Sequence, residues 1–294
     1  MKNKRSFIIN AALVAALVAG LCIMAYPSFS NWWNAGKQSR AIAIYDQTVS
    51  SMDSADKERQ LERAKKYNRE LAKLSSPLSD YKDIRGYESS LDITGTGIMG
   101  YIEIPKINTY LPIYHGTSPE VLNVAVGHIE GTSLPIGGKG SHSVISAHRG
   151  LPSAKLFTDI DQLTENDTFR ITVLDEILDY EVDEIATVLP YEMDRLAPVP
   201  GMDCVTLMTC TPYGINTHRL LVRAHRIDTE LPHVVKVPAD AVPVDEIAVL
   251  PFIVIPVLIC LILFWIFSGR QDKNNKIKKE VISCRSPKTD PRDL

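Results

Sequence analysis

The sequence has little cysteine, almost no charge imbalance, and none of the short spacings that metal sites use. Five cysteines in 294 residues are too few and too scattered for a disulfide framework. Cys22 and Cys260 fall in apolar segments and Cys284 in a polar tail. Cys204 and Cys210 share one strand-like run, in which their separation spans about 20 Å. A disulfide tolerates about 7 Å at most between Cα atoms, so the two cannot bridge within that strand and Cys210 is expected to be free. A net charge of −3 gives no reason to expect a nucleic-acid partner. His115, His128, His142, His218 and His225 lie on or beside strands, and His233 lies in a later linker. None of them completes the close Cys/His spacing of a zinc site. The acidic residues are scattered and form no calcium-binding loop. No metal and no cofactor is therefore expected, and the chain contains no internal repeat or low-complexity tract.

What is present is long apolar runs and one chemically pointed strand pair. At 45% hydrophobic and 23% charged residues, the chain can build one sizeable core with extras. Residues 7–26 form an apolar run of membrane-spanning length, preceded by Lys2, Lys4 and Arg5, a flank that stays cytoplasmic. Ala25-Tyr26-Pro27 is a poor cleavage site, which favours an uncleaved anchor over a signal peptide. Residues 247–267 form a second run, broken by Pro251 and Pro256, which membrane helices tolerate. Its basic exit again points inward. Both ends inside would place everything between them outside, in a multi-pass cell-membrane protein with lipid as one partner.

The chemistry concentrates in CVTLMTCTPYGINTHRLLVRAHR, from Cys204 to Arg226. Val205, Leu207 and Thr209 alternate with Thr206, Met208 and Cys210, the period-two pattern of a strand. Pro, Gly and Asn then supply a turn, and a second alternating run follows. A tight hairpin centred between Gly214 and Ile215 sets Cys210 opposite Arg219, with Cβ atoms about 4.5–5.5 Å apart. Arg223 shares the face of Arg219 but lies about 13 Å further along, and Arg226 has the other parity. A thiolate is the reactive form of cysteine and a neighbouring cation favours it. Arginine also presents a fork of donors suited to an oxyanion. A proton donor is on offer in SHSVISAHRG, where His148 ends a β-branched run. Taken singly, such a Cys is usually a small buried hydrophobe, such an Arg a solvated charge and such a His a satisfied structural residue. Together, beside Gly-containing turns, they point to a site.

TLMTC followed by TPYGINTHRLLVRAHR resembles the signature of sortases, specifically the class C, pilus-assembling group. The blocks GIMGYIEIPKI, LPIYHGTS and GHIEGTSLPIGGKGSHSVISAHRGLPSAKLFTDI resemble that group in the same order, over roughly residues 95–227. The resemblance implies Cys210 as nucleophile, His148 as acid/base and Arg219 as oxyanion stabiliser. Thr209 is a further candidate, for substrate or oxyanion support. It also implies a lid. Ser79-Asp80-Tyr81-Lys82 lacks the family's Pro between Asp and the aromatic residue, so Asp80 over Arg219 and Tyr81 over the thiol compete with a plain solvated loop.

By the same resemblance the fold is mostly β, an eight-stranded sortase-type barrel with an N-terminal helical arm and a transmembrane helix at each end. The expected layout is a cytoplasmic start (1–6), a first span (7–26), and a helical arm with candidate lid (27–96). The barrel (97–230), a linker (231–246), the second span (247–267) and a basic cytoplasmic tail (268–294) follow. Within the arm, residues 36–75 read as two helices, the second capped by Asp53 or Ser54. Leu61, Ala64, Tyr67, Leu71 and Leu74 form its core-facing stripe. Strands are expected at 98–104, 111–114, 143–148, 168–174 and 178–188, with a helical turn at 119–124 and a short helix at 153–157. The implied activity is cysteine transpeptidation on a Gram-positive surface. A Leu-Pro-x-Thr-Gly sorting signal on a secreted pilin or surface protein would be cut after Thr and passed to an amine. A pilin lysine is the implied acceptor, a peptidoglycan precursor the housekeeping alternative, and a non-catalytic tethered scaffold the reading from another class.

Overall fold

The computed structural model describes residues 2–228 and Ile259. Phe29–Pro243 makes one compact unit, and Met1–Ser28 belongs to another. Apart from Ile259, the second apolar run, its linker and the basic tail lie outside the described residues. Helix α1, Lys2–Ser51, is continuous. From Ala12 onward it is long and apolar enough to cross a membrane, with a mean hydropathy of 2.0 in its most apolar window and none of that window buried.

The arm ends as its caps dictate. Helix α2, Ser54–Leu71, is capped by Asp53, whose side chain accepts from the Asp56 amide at 2.6 Å. Capping of this kind satisfies one of the donors that a helix start leaves unpaired. Ile42, Tyr45 and Val49 of α1 and Ala64, Tyr67 and Leu71 of α2 are buried in the main core. Each large side chain among them contributes at most about 1.5–3 kcal/mol by leaving water. Polar contacts fix the register of the arm. Tyr45 Oη donates to the Met99 carbonyl at 3.1 Å and accepts from the Leu174 amide at 2.8 Å. The Asn68 amide pairs with both backbone groups of Leu134. After α2 the chain makes a one-turn helix α3, Pro77–Asp80.

The rest is an eight-stranded closed barrel. Its strands are β1 Ile98–Ile104, β2 Thr109–His115, β3 Val126–His128, β4 Ser141–Ser146, β5 Thr168–Val173, β6 Glu176–Val188, β7 Asp203–Thr211 and β8 His218–Arg226, with a short helix α4, Pro119–Leu122, before β3. Around the barrel they run β1-β2-β3-β4-β7-β8-β6-β5. Closure leaves no unpaired edge to template association. Alternate residues point inward: Ile145, Val205, Leu207, Leu220 and Val222 join the main core. Their neighbours Val144, Val188, Leu196 and Leu221 build a smaller apolar cluster on the outer face, with Met208 packed against it. Gly127 is where β3 meets the preceding loop, and a Cβ there would lie 2.2 Å from the Gly116 carbonyl oxygen.

Two local expectations differ. Strand β3 is short and pairs in parallel with β2, so only tertiary pairing reveals it. Residues 153–157 form turns, with a single bridge between Leu151 and Ala154. The reason is that the backbone groups a helix would use are engaged elsewhere. Ser153 O accepts from Asn34, Lys155 N donates to Asn31, and Phe157 N donates to the His148 carbonyl.

Candidate active site

Three adjacent strands assemble the site. Strands β4 and β7 run parallel with Ser146 paired to Met208, and β7 and β8 run antiparallel with Cys210 paired to Arg219. Paired residues share a face of the sheet. Continuing the parallel register two residues past Ser146 brings His148 level with Cys210. The chain is tied there: the Ala147 amide donates to Met208 O at 3.1 Å. Met208 belongs to the outer apolar cluster, so Cys210, Arg219 and His148 open on the outer face, beyond that apolar floor. All three are half-buried. The expected hairpin register, with Cys210 opposite Arg219, is the one observed.

The three arginines of β8 are held very differently. Arg223 sits between Asp183 at 2.9 Å and Glu184 at 2.7 Å. Arg226 lies over the Tyr180 ring and donates to Ile177 O. Arg219 donates from one nitrogen to the Asn216 and His218 carbonyls, at 3.3 and 3.0 Å. Among the described residues it has no carboxylate within ion-pair distance, so its charge and its second nitrogen remain for a ligand.

Burial sets Cys204, His128 and His142 apart from Cys210 and His148. Cys204 is buried, and burial pushes its thiol up to about 11, which keeps it protonated and inert. His128 is fully buried, and burial pushes it down to about 4. One ring nitrogen faces Tyr87 Oη at 2.9 Å and the other Ser133 O at 2.8 Å. Burial also lowers His142, whose ring lies between Ala197 O and Thr206 Oγ1. These rings are structural fixtures, satisfied at both nitrogens. Among the described residues no group of three or more His, Cys, Asp or Glu side chains is disposed to hold a metal.

Three further sequence candidates, Thr209, Asp80 and Tyr81, make no hydrogen bond or ion pair with Cys210, His148 or Arg219 among the described residues. Thr209 is 1% exposed and points inward, and its hydroxyl donates to Ala147 O at 2.8 Å. It cross-links the strand that ends at His148 to the strand that carries Cys210, and no lone hydroxyl is left to meet substrate. Asp80 ends α3 and forms no ion pair among the described residues. Tyr81 is half-buried against the main core, with Lys82 over its ring. Pro77 and Leu78 pack against Gly131, and Ser133, two residues on, bonds His142 at the opposite end of β4 from His148. Asp80 and Arg219 form no ion pair.

One cluster went unread in the sequence. Arg149, with a side chain 11% exposed, pairs with Asp161, donates to Thr158 O and reaches Thr211 Oγ1 at 3.4 Å. Its guanidinium lies 5.9 Å from the Tyr213 ring centre. The same ring covers Gly150, which has φ +76° and no room for a Cβ. The loop after His148 is therefore clamped to the loop after Cys210. An Arg-Gly pair directly after the histidine was the available signal.

The family profile described as Sortase domain matches residues 102–227, which contain all three groups. The structure is similar to that of sortase C1 from Streptococcus agalactiae, with 48% identity and a TM-score of 0.59, over 65% of this chain and 100% of that one. The chain belongs to the sortase family, class C. A sortase C from Streptococcus pneumoniae is similar at 42% identity, covering 66% of this chain and 99% of that one, with a TM-score of 0.59. Among curated relatives, sortase A of Streptococcus agalactiae is 27% identical over 130 residues, 43% of this chain and 52% of that protein. Sortase D of Bacillus subtilis is 28% identical over 39% of this chain and 55% of that protein. The chain thus spans about half the length of the curated relatives it matches.

Proposed function

We propose that this sortase is a membrane-anchored cysteine transpeptidase acting on a Leu-Pro-x-Thr-Gly-like sorting signal. The observation that carries the reading is the pairing of Cys210 with Arg219, a cation without a carboxylate partner among the described residues, beside the strand end that bears His148. The Cys210 thiolate attacks the Thr carbonyl carbon, forming a C–S bond. Arg219 donates to the oxyanion as charge develops there. His148 protonates the departing Gly amine, the C–N bond breaks, and a thioacyl enzyme remains. An incoming amine then gives a proton to His148, attacks the thioester and releases Cys210.

The acceptor in this reading is a pilin lysine, so that repeated turnover polymerises pilins. Support comes from the neighbours: one is named sortase C1 of GBS pilus island 1, and the S. pneumoniae structure is described for pilin substrate specificity. A peptidoglycan-precursor amine is the second reading, favoured by the similarity to sortase A. The apolar part of α1 anchors the enzyme, with the barrel outside and residues 247–267 as a second span. Asp80 and Tyr81 take no part in this scheme. The deciding experiment offers the thioacyl enzyme equal concentrations of a pilin and a peptidoglycan stem peptide. Isopeptide-linked pilin as the main product supports the proposal, and acylated stem peptide as the main product overturns it.

A further inference from the structure

The face of α1 that meets the rest of its unit changes character along its length. Asn31, Asn34, Gln38, Ile42, Tyr45 and Val49 recur every three or four residues, so they form one stripe. The later half is apolar and buried. The earlier half is a row of amides, and it meets bare backbone. Asn31 Oδ1 accepts from the Lys155 amide at 2.8 Å, and Asn34 Nδ2 donates to the Ser153 carbonyl at 2.7 Å. Ser30 Oγ shares that carbonyl at 3.2 Å, and Gln38 donates to Val124 O at 2.6 Å.

Residues 153–155 belong to the loop that begins at His148. That loop returns to its own start, since the Phe157 amide donates to His148 O at 3.3 Å. Among the described residues no side-chain hydrogen bond holds the His148 ring. Its place is set by the backbone on either side: Ala147 is tied to β7, and the far side of the loop is tied to α1.

We propose that Asn31 and Asn34 are positioning residues for His148, so that turnover depends on a helix outside the barrel. The inference rests on the proposed roles of Cys210 and His148. It makes a prediction that depends on hydrogen-bond polarity. Asn31 works as an acceptor, which Asp preserves. Asn34 works as a donor, which Asp destroys by setting a carboxylate against a carbonyl.

The test uses the full chain in detergent with a Leu-Pro-x-Thr-Gly peptide, measuring kcat, KM and Tm for each variant. Asn34→Asp should lower kcat about tenfold with KM little changed, and Asn31→Leu about fivefold. Asn31→Asp and Arg40→Ala, the latter exposed on the other face of α1, should stay within about twofold of the parent, less than one lost hydrogen bond. The His148 ring resonance should shift in Asn34→Asp and not in Asn31→Asp. Equal kcat and an unmoved His148 resonance in Asn34→Asp would overturn the inference, as would equal losses in the two Asp variants. A parent enzyme that turns over no peptide would instead sink the Cys210 reading, while the resonance still decides the role of the two asparagines.

Discussion

Exchange of Arg219 for Lys keeps the charge and removes the fork. One guanidinium nitrogen of Arg219 is occupied by the Asn216 and His218 carbonyls. The second nitrogen is thereby aimed while the first is held. A lysine ammonium has only one nitrogen, and it can satisfy those carbonyls or an oxyanion but not both in the same geometry. Loss of a preorganised oxyanion donor costs about 2.7–4 kcal/mol of transition-state stabilisation, or about 10²–10³ in kcat. Arg223→Lys is the matched control. Arg223 is neutralised by Asp183 and Glu184 and its side chain is 26% exposed, so the exchange should cost at most about 1 kcal/mol of stability. Its effect on kcat should stay within about threefold, well short of losing an oxyanion donor. Steady-state cleavage of a sorting-signal peptide, read with Tm for each variant, distinguishes the two. If folded Arg223→Lys loses more kcat than folded Arg219→Lys, the assignment of the cation is wrong.

The two cysteines and the buried histidines give further tests. Cys210→Ala should abolish transpeptidation while Cys204→Ala retains most of it, and equal losses in two well-folded variants would contradict the assignment. Of the two barrel cysteines, Cys210 should be alkylated first in native protein, with Cys204, pushed up to about 11 by burial, reacting only on unfolding; the reverse order of these two by peptide mapping would count against the site. His128 is neutral in the fold and pushed down to about 4, whereas an unfolded histidine titrates near 6.5. Above about pH 6.5 both states are neutral; below it only the unfolded chain takes the proton, so stability should fall by about 1.4 kcal/mol per pH unit towards pH 4. Denaturant titrations between about pH 6.5 and 5, still above the usual carboxylate range, should show a shallower slope for His128→Gln. An unchanged slope would remove His128 as the cause.

The facing of Cys210 and Arg219 was legible because strands report their own parity. Alternation through Thr206, Met208 and Cys210, a turn containing Gly214, and alternation again through Arg219 leave one natural register, and it is the observed one. The Asp53 cap was legible for a similar reason, since it depends on residues three apart. What depended on distant partners was not legible. β3 exists through its parallel pairing with β2, and residues 153–157 lose their helix to Asn31, Asn34 and His148. Thr209 was a candidate for substrate or oxyanion support, while strand parity turns it inward, onto Ala147 O. Asp80 and Tyr81 were read through a motif with a residue missing, and the path of that segment is set by Pro77 and Leu78 on Gly131. No local pattern in the sequence contains that contact.

The central claim is that Cys210 carries the acyl group. Intact-mass and peptide-mapping mass spectrometry of the full chain, mixed with a Leu-Pro-x-Thr-Gly peptide and quenched in acid, reads it directly. The account predicts a hydroxylamine-sensitive adduct, equal in mass to the peptide acylated through its Thr carbonyl, on the fragment containing Cys210. It predicts no adduct in Cys210→Ala and accumulation of the adduct when the acceptor amine is withheld. An adduct on Cys204, or signal cleavage that proceeds undiminished in Cys210→Ala, would contradict it.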